Sequence, residues 1–547
     1  SLGRRQRVIV RLMSSGSVSL QRVAIASWSA HVIFLAITTL LLVLAFPHPG
    51  WGWCAHLALA PAVLLALRSG RRRRLTWTAY IVSLLWWLFM LRWLAEITTV
   101  GYMGLCAYLA VYLPVALLLI RHIERRYRLP MVLVVPMVWV SLEFLRSHLV
   151  AGGFGWFTLA HSQAPYLPRH GAGYLIQTAD LFGELAVSFL VCMTSGLVVD
   201  LLHRPWVRPG RHRPRISRMI RAALVLYIAT MLAAYAYGRW RVAQAPGDEA
   251  RQIAVGVVQT NLPQDVKDRP TPEAAEALIN DLQALTRAAA AHEPKPLLIV
   301  WPETIVSGEL HQPNIAEQRD IARAWADLDV EMMAQSDQRE RYQRMADDFG
   351  VTLEQLPQRI VAQIDRRLRA DAMLRLLSAE LGVALIVGSS TAIRSQSDGD
   401  AYYNSAYLYD AQGRPADRRY DKLHLVPFGE YVPWVGYWPW LKRQFVRYLT
   451  PYDQDYSLHP GKQPTVFTID AGDSPDPVRV ATPICFEDVI PRVTRRLAYV
   501  RGEKRADLLV NLTNDGWYTG TTQRPQHVQI ATLRCIETRL PMARSVN

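Results

Sequence analysis

The sequence predicts a protein of two parts, a polytopic α-helical membrane domain in residues 1–240 and a water-exposed α/β domain in residues 241–547. Three observations support this fold class. The chain of 547 residues is too long for one ordinary core. Its hydrophobic content of 51% is high beside a charged content of 20%, which two chemically different halves would reconcile. Nearly all of the long apolar runs lie before Gly238.

Seven apolar runs approach the roughly 20 residues that a helix needs to cross a bilayer. They extend over 28–46, 51–67, 75–97, 103–120, 130–145, 185–202 and 220–238. Arginine-rich connections alternate with connections that carry almost no positive charge, so every second loop is predicted to be cytoplasmic. The arginine-rich N-terminus joins the cytoplasmic set, and an odd number of spans then delivers the α/β domain to the outer side. A cleaved signal peptide is the weaker interpretation of the first run, because no small-residue cleavage site follows it.

The net charge of +15 does not indicate a nucleic-acid partner. The arginines cluster beside apolar segments and form no stripe with interleaved aromatic residues, so they are interpreted as topology determinants.

The five cysteines are odd in number, and three of them fall inside apolar runs. No disulfide framework is therefore predicted.

After residue 250 the pattern alternates short apolar runs with amphipathic stretches, which is typical of an α/β domain. Strands are predicted at 253–259, 297–301, 383–389, 406–409, 478–484 and 508–512, and helices at 272–291, in several segments between 315 and 381, and at 526–537. The stretch 315–375 is rich in charged residues, glutamine and alanine, and it is predicted to be a solvated helical insertion.

Three segments carry reactive side chains where an α/β fold tends to place its site. Glu303 follows the apolar run 297–301, and Cys485 follows the run 478–484 at a predicted strand-to-helix turn. There a helix dipole and a nearby ammonium would favour the nucleophilic thiolate. Lys422 lies between them in sequence and could stabilise an oxyanion.

Each of these residues also has an ordinary structural interpretation. A single cysteine after a strand is more often a small core residue, and a lone glutamate or lysine in a polar loop is usually a surface residue. The combination of the three, in this order within one domain, favours a catalytic site.

The three segments resemble the Glu-Lys-Cys triad of the nitrilase superfamily, whose fold is an αββα sandwich. With seven preceding spans and the string Leu-Val-Pro-Phe-Gly-Glu-Tyr-Val-Pro at 425–433, the chain resembles the apolipoprotein N-acyltransferase family more closely. Further matching motifs are Val-Gln-Thr-Asn-Leu-Pro-Gln at 258–264, Trp-Pro-Glu at 301–303, Asn-Asp-Gly-Trp at 514–517 and Gln526-His527 followed by a helix. The resemblance covers nearly the whole chain.

The resemblance implies roles for individual residues. Glu303 would be the general base, Cys485 the nucleophile and Lys422 the oxyanion stabiliser. Glu430 and Glu487 would hold Lys422 and shape the pocket. Further residues implied at the substrate or around the triad are Phe486, Tyr431, Trp434, Asn514 and Trp517.

The resemblance also implies the reaction and its setting. A phospholipid would donate an acyl chain through a cysteine thioester to the N-terminal amine of a diacylated apolipoprotein. No metal or organic cofactor is implied. The expected setting is the bacterial inner membrane, with the catalytic domain on the periplasmic side and the protein monomeric.

Aromatic residues are dense over 431–452, which suits an interfacial lid at lipid headgroups; a packed loop core is the alternative.

The chain departs from the family pattern in several places. Phe486 stands where many members have tyrosine, and Asp268 stands where they often have tryptophan. Glu303 and Lys422 are further apart in sequence than is usual, consistent with the insertion at 315–375. The chain stops at Asn547, before further strands and a last span of the family, so a C-terminal truncation is expected.

Two other functions remain as alternatives. One is a membrane-tethered amidase that uses the same triad with water as acceptor. The other is a channel or transporter, whose spans should carry ionisable residues along a pathway. Arg92, Glu96, Glu143 and Arg146 lie at or near predicted span ends, where snorkelling to the interface explains them.

Overall fold

The structure is a computed structural model. It describes residues 27–149, 153–165, 173–204, 207–208, 215–244, 252–262, 267, 271–307, 310, 320–321, 324–327, 333, 339–393, 401–427, 429–431, 438, 440, 444, 457–472, 476–518 and 521–547. The chain divides into two compact units. The first comprises Ser1–Asp248, Pro433–Gln454 and Gly520–Arg539, and the second comprises Glu249–Val432, Asp455–Thr519 and Leu540–Asn547.

The first unit is helical at all seven of the predicted spans. Its helices are α1 (Trp28–Ala45), α2 (Trp53–Arg68), α3 (Arg72–Met90), α4 (Thr99–Leu109), α5 (Tyr112–Tyr127), α6 (Met131–His148), α7 (Glu184–His203) and α8 (Arg218–Ala243). The fourth predicted span is divided between α4 and α5. In the described part of the chain, five helical stretches are long and apolar enough to cross a membrane: α1, α4 with α5, α6, α7 and α8. The predicted helical membrane domain is confirmed.

Helices α6 and α7 pack closely because a glycine lies at their contact. A Cβ atom on Gly196 would lie 2.3 Å from the backbone oxygen of Met131, so a larger residue would force the helices apart. Near the same end, the buried carboxylate of Asp200 accepts a hydrogen bond of 3.0 Å from Val132 N at the start of α6. Its other oxygen accepts from Arg204 Nε at 2.6 Å. A backbone donor that α6 leaves unpaired is thereby satisfied.

The expected snorkelling of four charged residues is wrong for two of them and stays a prediction for Arg92 and Glu96. Arg92 and Glu96 are exposed. Glu143 and Arg146, by contrast, are only 3% and 4% exposed. Both lie on the inward side of α6. The expectation failed because a position near the end of a span does not determine which face of the helix a residue occupies.

The helix α13 (Gln523–Thr538) belongs to the first unit, although the sequence assigns it to the α/β stretch. Its Arg534 is fully buried and donates to Glu184 Oε2 at the start of α7. The same oxygen lies 3.0 Å from His161 Nε2. Glu537 Oε1 accepts from Glu184 N at 2.7 Å, so the ion pair and the helix start are joined in one network.

The second unit contains two mixed β-sheets. The first sheet has the strand order β1-β2-β4-β5-β6, and β3 also pairs with β4; the second has the order β10-β9-β8-β7. Their bounds are β1 Val255–Val257, β2 Leu298–Val300, β3 Val306–Ser307, β4 Ala384–Ile393, β5 Ala401–Tyr409, β6 Tyr420–Asp421, β7 Val466–Ile469, β8 Val478–Ala481, β9 Leu508–Thr513 and β10 Met542–Val546. Strands β1, β2 and β4 are parallel, whereas β4, β5 and β6 are antiparallel.

The two sheets share one hydrophobic core. Val300 and Ile386 of the first sheet and Val480 and Leu512 of the second belong to the same buried cluster. The opposite face of the first sheet is covered by α9 (Pro272–Ala290) and α11 (Leu356–Leu381), while α12 (Pro491–Ala498) packs on the shared core. The nitrilase-like α/β fold is therefore confirmed, with a core that alternate residues of each strand supply.

The six predicted strands are all present, and four further strands of these two sheets escaped the sequence analysis. The missed strands are β3, β6, β7 and β10, which are short or carry polar residues, as Arg544 does in β10. The stretch 315–375 contributes α10 (Arg339–Phe349) and the first part of α11. These helices bury a small cluster of their own, which includes Ala346, Leu356 and Ile360. The predicted helical character holds, but the helices pack on each other and are not merely solvated.

The buried ion pair of α13 leads to a stability prediction. Arg534→Ala leaves the carboxylate of Glu184 buried without its guanidinium, and we expect a loss of about 3–5 kcal/mol in the free energy of unfolding. A matched control is Arg287→Ala, because the Arg287–Glu380 pair is 45% and 56% exposed. An exposed pair contributes about 0–1 kcal/mol. Equilibrium unfolding in detergent measures both changes, and losses of similar size would contradict the prediction.

Candidate active site

Lys422 and Glu303 of the predicted triad form a direct ion pair in the second unit. The third residue, Cys485, interacts electrostatically with both of them. Lys422, just after β6, places its Nζ atom 3.4 Å from Glu303 Oε1 and 2.8 Å from Glu430 Oε1. The side chain of Lys422 is 1% exposed. Cys485 begins a 3-10 turn, Cys485–Val489, and its thiol interacts electrostatically with Glu303 and Lys422. The three segments are therefore brought to one site.

Glu303 is held by a turn that leaves no room for a larger neighbour. Thr304 adopts a left-handed backbone with φ of 46°. A Cβ atom on Gly388, in β4, would lie 2.3 Å from the backbone oxygen of Pro302. Ile305 N donates to Gly388 O at 3.1 Å, which fastens the turn to β4. Glycine at 388 thus lets the turn that bears Glu303 lie directly on the sheet.

Asn404 orients the two carboxylates, and the sequence analysis missed it. Its Nδ2 atom donates to Glu303 Oε1 at 2.7 Å and to Glu430 Oε1 at 3.3 Å. Its backbone oxygen accepts from Lys422 N at 2.8 Å. Because Oε1 of Glu303 faces both Asn404 and Lys422, Oε2 remains available as a base; it makes no hydrogen bond to any described residue. Asn404 lies before the predicted strand 406–409, so the sequence analysis did not place it on the sheet.

Glu430 contacts Lys422 as the resemblance implied. Its Oε1 atom accepts the 2.8 Å hydrogen bond from Nζ. Its Oε2 atom accepts from Val426 N at 2.8 Å, which fixes the loop between the two residues. Both oxygens are thereby engaged, so Glu430 is less available than Glu303 to exchange a proton.

Glu487 does not reach the ammonium of Lys422 but holds the backbone on either side of the site. It is fully buried. Oε1 accepts from Leu423 N at 2.6 Å and His424 N at 3.0 Å, and Oε2 accepts from Ile484 N at 2.8 Å and Tyr420 Oη at 2.7 Å. Burial raises the pKa of Glu487 to about 7, although these donors favour its charged form. Glu487 therefore ties the segment of Lys422 to the segment of Cys485.

Cys485 has a backbone conformation that ordinary residues rarely adopt. Its φ is 49°, in the left-handed region, which costs about 1–2 kcal/mol for a residue with a Cβ atom. Asn511 on β9 donates from Nδ2 to Cys485 O at 3.2 Å and to Pro483 O at 3.1 Å. These bonds hold the turn that presents the thiol.

The expectation that the surroundings of Cys485 favour its thiolate is wrong. Burial raises the pKa of the thiol, the charge of Glu303 raises it further, and the ammonium of Lys422 only partly opposes this. The turn after the strand is a single 3-10 turn, not the start of a long helix, so the expected dipole is weak. The nucleophile is a neutral thiol at rest and needs a base as it reacts.

Lys422 remains charged despite its burial. Burial alone would lower its pKa, but the carboxylates of Glu430 and Glu303 outweigh that effect and raise the pKa well above its ordinary value. The site therefore combines a neutral thiol, a carboxylate base and a fixed positive charge. Such a set can attack an acyl carbonyl and stabilise the oxyanion that forms.

The remaining predicted residues have varied positions. The ring of Phe486 lies 6.4 Å from that of His424, nearly parallel to it. Asn514 Oδ1 accepts from Asn547 Nδ2 at 3.0 Å. Tyr431 forms an isolated bridge with Pro427, and Trp517 lies in the 3-10 turn Asp515–Tyr518. Trp434 and Asp268 lie outside the described residues.

Tyr518 is a second residue that the sequence analysis missed. Burial raises the pKa of its hydroxyl, and the charges of Asp515 and Glu303 raise it further, which places the side chain within the electrostatic field of the site. Its position next to the Asn-Asp-Gly-Trp motif at 514–517 was the signal that could have identified it.

Within the described ranges, no three His, Cys, Asp or Glu side chains are grouped to hold a metal ion.

Comparisons with known proteins agree with this architecture. Residues 254–547 match the carbon-nitrogen hydrolase family, and residues 38–197 match the apolipoprotein N-acyltransferase N-terminal domain. The apolipoprotein N-acyltransferase of Geobacter metallireducens is 28% identical over 94% of this chain and 83% of its own length. That of Chlorobaculum tepidum is 27% identical over 90% of this chain and 80% of its own length.

A solved structure with a weaker similarity is the carbon-nitrogen hydrolase of Helicobacter pylori G27. It is 15% identical, covers 54% of this chain and 73% of that chain, and has a TM-score of 0.30. The class of the second unit follows from its matched family and its two mixed sheets. The chain belongs to the carbon-nitrogen hydrolase family, in the branch that carries the apolipoprotein N-acyltransferase N-terminal domain.

The charges around Cys485 predict how its reactivity depends on pH. Glu303→Gln removes the negative charge that raises the pKa of the thiol, so the pH profile of Cys485 alkylation should shift to lower pH. Lys422→Met removes the positive charge that lowers that pKa, so the profile should shift to higher pH; each shift should be about 1 pH unit. Peptide mass spectrometry after iodoacetamide treatment measures the rate. Cys535 in the same samples is the internal reference, and shifts in the same direction for both variants would contradict the prediction.

The position of Asn404 predicts a loss of rate without a comparable loss of fold. Asn404→Ala frees Glu303 to turn toward Lys422, and we expect the reaction of Cys485 with an activated acyl ester to slow about 10- to 100-fold. Ser405→Ala is the matched control, because Ser405 is the next residue of β5, is equally buried and donates to Asp421 at 2.6 Å outside the site. Product release measures the rate and thermal unfolding monitors the fold. Equal rates in the two variants would remove Asn404 from the site.

Proposed function

We propose that this protein is an apolipoprotein N-acyltransferase. In this proposal it moves an acyl chain from a phospholipid, through a thioester on Cys485, to the N-terminal α-amine of a diacylglyceryl-cysteine apolipoprotein. The observation that carries the proposal is the buried ammonium of Lys422 between Glu303 and Glu430, beside a thiol that rests protonated. The two matched families and the names of the relatives support it.

The first half-reaction forms the thioester. Glu303 Oε2 takes the thiol proton while the sulfur of Cys485 attacks the carbonyl carbon of the phospholipid ester. The resulting oxyanion is stabilised by the ammonium of Lys422. When the tetrahedral intermediate collapses, the C–O bond breaks and the lysophospholipid oxygen receives the proton that Glu303 holds.

The second half-reaction transfers the acyl chain. The neutral α-amine of the lipoprotein cysteine attacks the thioester, and Glu303 accepts a proton from the nitrogen. The C–S bond then breaks, an amide remains on the lipoprotein, and the proton returns to sulfur to regenerate the thiol. Lys422 stabilises the oxyanion in this step as well.

The membrane setting follows from the substrates. Moving an acyl chain from a bilayer into water costs about 0.8 kcal/mol per CH₂ group, so a site for two lipids belongs at a membrane surface. We place the domain of residues 241–547 on the periplasmic side of the bacterial inner membrane, because arginine-rich loops mark the opposite side. Trp438 and Trp440 are 64% and 66% exposed, which suits an interfacial segment. We propose a monomer without cofactor.

A membrane-tethered amidase with water as acceptor is the other enzyme that the same three residues could serve. The match to the apolipoprotein N-acyltransferase N-terminal domain over 38–197 favours the acyltransferase. The two differ in the fate of the acyl group, which appears as an amide in one and as a free acid in the other.

The thioester step predicts a covalent adduct. Incubation with a phospholipid that carries a labelled acyl chain should give a hydroxylamine-sensitive adduct on Cys485, detected by mass spectrometry. Cys485→Ala should give none, and the matched control Cys535→Ala should keep it, because Cys535 lies in α13 and not at the site. A folded parent protein without adduct, or an adduct that persists in Cys485→Ala, would overturn the proposal.

A further inference from the structure

A largely buried arginine of the second unit lies close to the turn of the nucleophile. Arg544 belongs to β10, and its side chain is 13% exposed. Its Nη2 atom is 4.0 Å from Asp488 Oδ2 and 3.8 Å from Asp515 Oδ2. Asp488 belongs to the 3-10 turn that Cys485 begins, and Asp515 begins the next 3-10 turn, which follows β9. One guanidinium therefore joins the turn of the nucleophile to the turn after β9.

The contacts of Arg544 are electrostatic. Its Nε, Nη1 and Nη2 atoms are buried, and none of them makes a hydrogen bond within the part of the chain that the structure describes. At 3.8 and 4.0 Å the two carboxylates attract the guanidinium but lie beyond hydrogen-bond distance. A buried cation is costly unless nearby anions compensate it. Arg544 thus contributes its charge, and its N–H groups lie near Asp515 without a fixed bond.

Asp515 acts on the thiol of Cys485 in two ways. Burial raises the pKa of the thiol, and the charges of Glu303 and Asp515 raise it further, whereas the ammonium of Lys422 lowers it. Asp515 Oδ1 also accepts a hydrogen bond of 3.2 Å from Thr513 Oγ1 at the end of β9. The side chain of Thr513 is in turn a hydrogen-bond partner of the sulfur and lowers the pKa of the thiol. The carboxylate and the sulfur therefore compete for one hydroxyl group.

We propose that Arg544 is a positioning residue that acts on Cys485 through Asp515. Its charge offsets the negative charge of Asp515 near the sulfur, and its N–H groups satisfy that carboxylate when Thr513 turns away from it. The hydroxyl of Thr513 has a single hydrogen, which goes to Asp515 or to the sulfur but not to both. As Glu303 takes the thiol proton, the growing charge on sulfur attracts that hydrogen, and Arg544 remains as the partner of Asp515.

The inference rests on the proposed function in one respect, that Cys485 is the nucleophile. It adds a second positive charge to the site and gives it a different task. Lys422 stabilises the oxyanion in the proposed mechanism, whereas Arg544 eases the ionisation of the sulfur. The charged groups that bear on this ionisation are then Glu303, Lys422, Asp515 and Arg544, with Asp488 as the other anion at the guanidinium.

The test measures the reactivity of Cys485 without an acyl donor. The full chain is treated with iodoacetamide at neutral pH, where the alkylation rate follows the small fraction of thiolate. Arg544→Gln should slow alkylation about five- to tenfold, because Asp515 is then unopposed, and Asp515→Asn should accelerate it by a similar factor. Arg544→Lys keeps the positive charge and should stay within about twofold of the parent. Peptide mass spectrometry gives the rate at Cys485.

A purely structural role for Arg544 predicts a change of the opposite sign. Loosening of the two turns would admit water to the thiol and lower its pKa, so alkylation would become faster. The matched control is Arg479→Gln, because Arg479 lies on β8 of the same sheet and pairs with Asp507 at 2.8 Å in a half-exposed position. This control should alkylate as the parent does. Faster or unchanged alkylation in Arg544→Gln, an equal slowing in Arg479→Gln, or no rescue by Arg544→Lys would overturn the proposal.

If Arg544→Gln fails to fold, the double variant Arg544→Gln with Asp515→Asn still decides, because it removes one charge of each sign. It should alkylate about five- to tenfold more slowly than Asp515→Asn alone, and equal rates would contradict the proposal. Thr513→Val keeps the shape of the side chain without its hydroxyl and should slow alkylation a few-fold. An unchanged rate in that variant would overturn the part assigned to the hydroxyl.

The labelled adduct on Cys485 is measured separately in the parent protein. Absence of the adduct together with the expected alkylation rates would overturn the proposed function and leave the role of Arg544 intact. A normal adduct together with equal alkylation rates in the parent and in Arg544→Gln would overturn this inference alone.

Discussion

A positive charge buried between two carboxylates governs the second unit. The ammonium of Lys422 is almost completely shielded from water, and such a charge is tolerated only where partners surround it. Glu303 and Glu430 supply those partners, and Asn404 holds both of them. The short strand before Lys422, the glycine at 388 and the loop fastened by Glu430 all serve this arrangement. The same charge partly offsets the burial of the thiol, so the electrostatics of the site depend on one lysine.

The structure also explains why the nucleophile and its base must act together. A thiol with a raised pKa does not react by itself at neutral pH, and a carboxylate with one free oxygen beside it can take the proton when the attack begins. Glu487 joins the backbone around Lys422 to that around Cys485 through four hydrogen bonds. The two halves of the site are therefore positioned by one buried carboxylate that touches neither reacting group.

The sequence revealed the parts of the site that follow apolar runs, and the family resemblance added Lys422 and Glu430. Glu303 and Cys485 were visible because a buried strand ends just before each of them. Asn404 was not, because the polar pair Asn404 and Ser405 interrupts the apolar pattern and the predicted strand began only at residue 406. The protonated state of Cys485 depends on its burial and on the nearby charge of Glu303. Neither the burial nor the distance to Glu303 can be derived from the amino-acid sequence alone.

The membrane domain shows the same division. Hydropathy located each of the seven helical segments, since length and composition suffice for that purpose. It could not assign faces, so Glu143 and Arg146 were taken for interfacial residues although they are buried. Nor could it show that α13 joins this unit, because a buried pair such as Arg534 and Glu184 links residues that are far apart in sequence.

The most direct test of the account is the fate of the acyl group on Cys485. The isolated acyl-enzyme is mixed with a peptide that begins with diacylglyceryl-cysteine, and the products are followed by mass spectrometry with and without that peptide. The account predicts that the label leaves Cys485 rapidly only when the peptide is present and that it reappears as an amide on the N-terminal nitrogen. Release of the label as free fatty acid at the same rate in both samples would contradict the account and would identify a hydrolase.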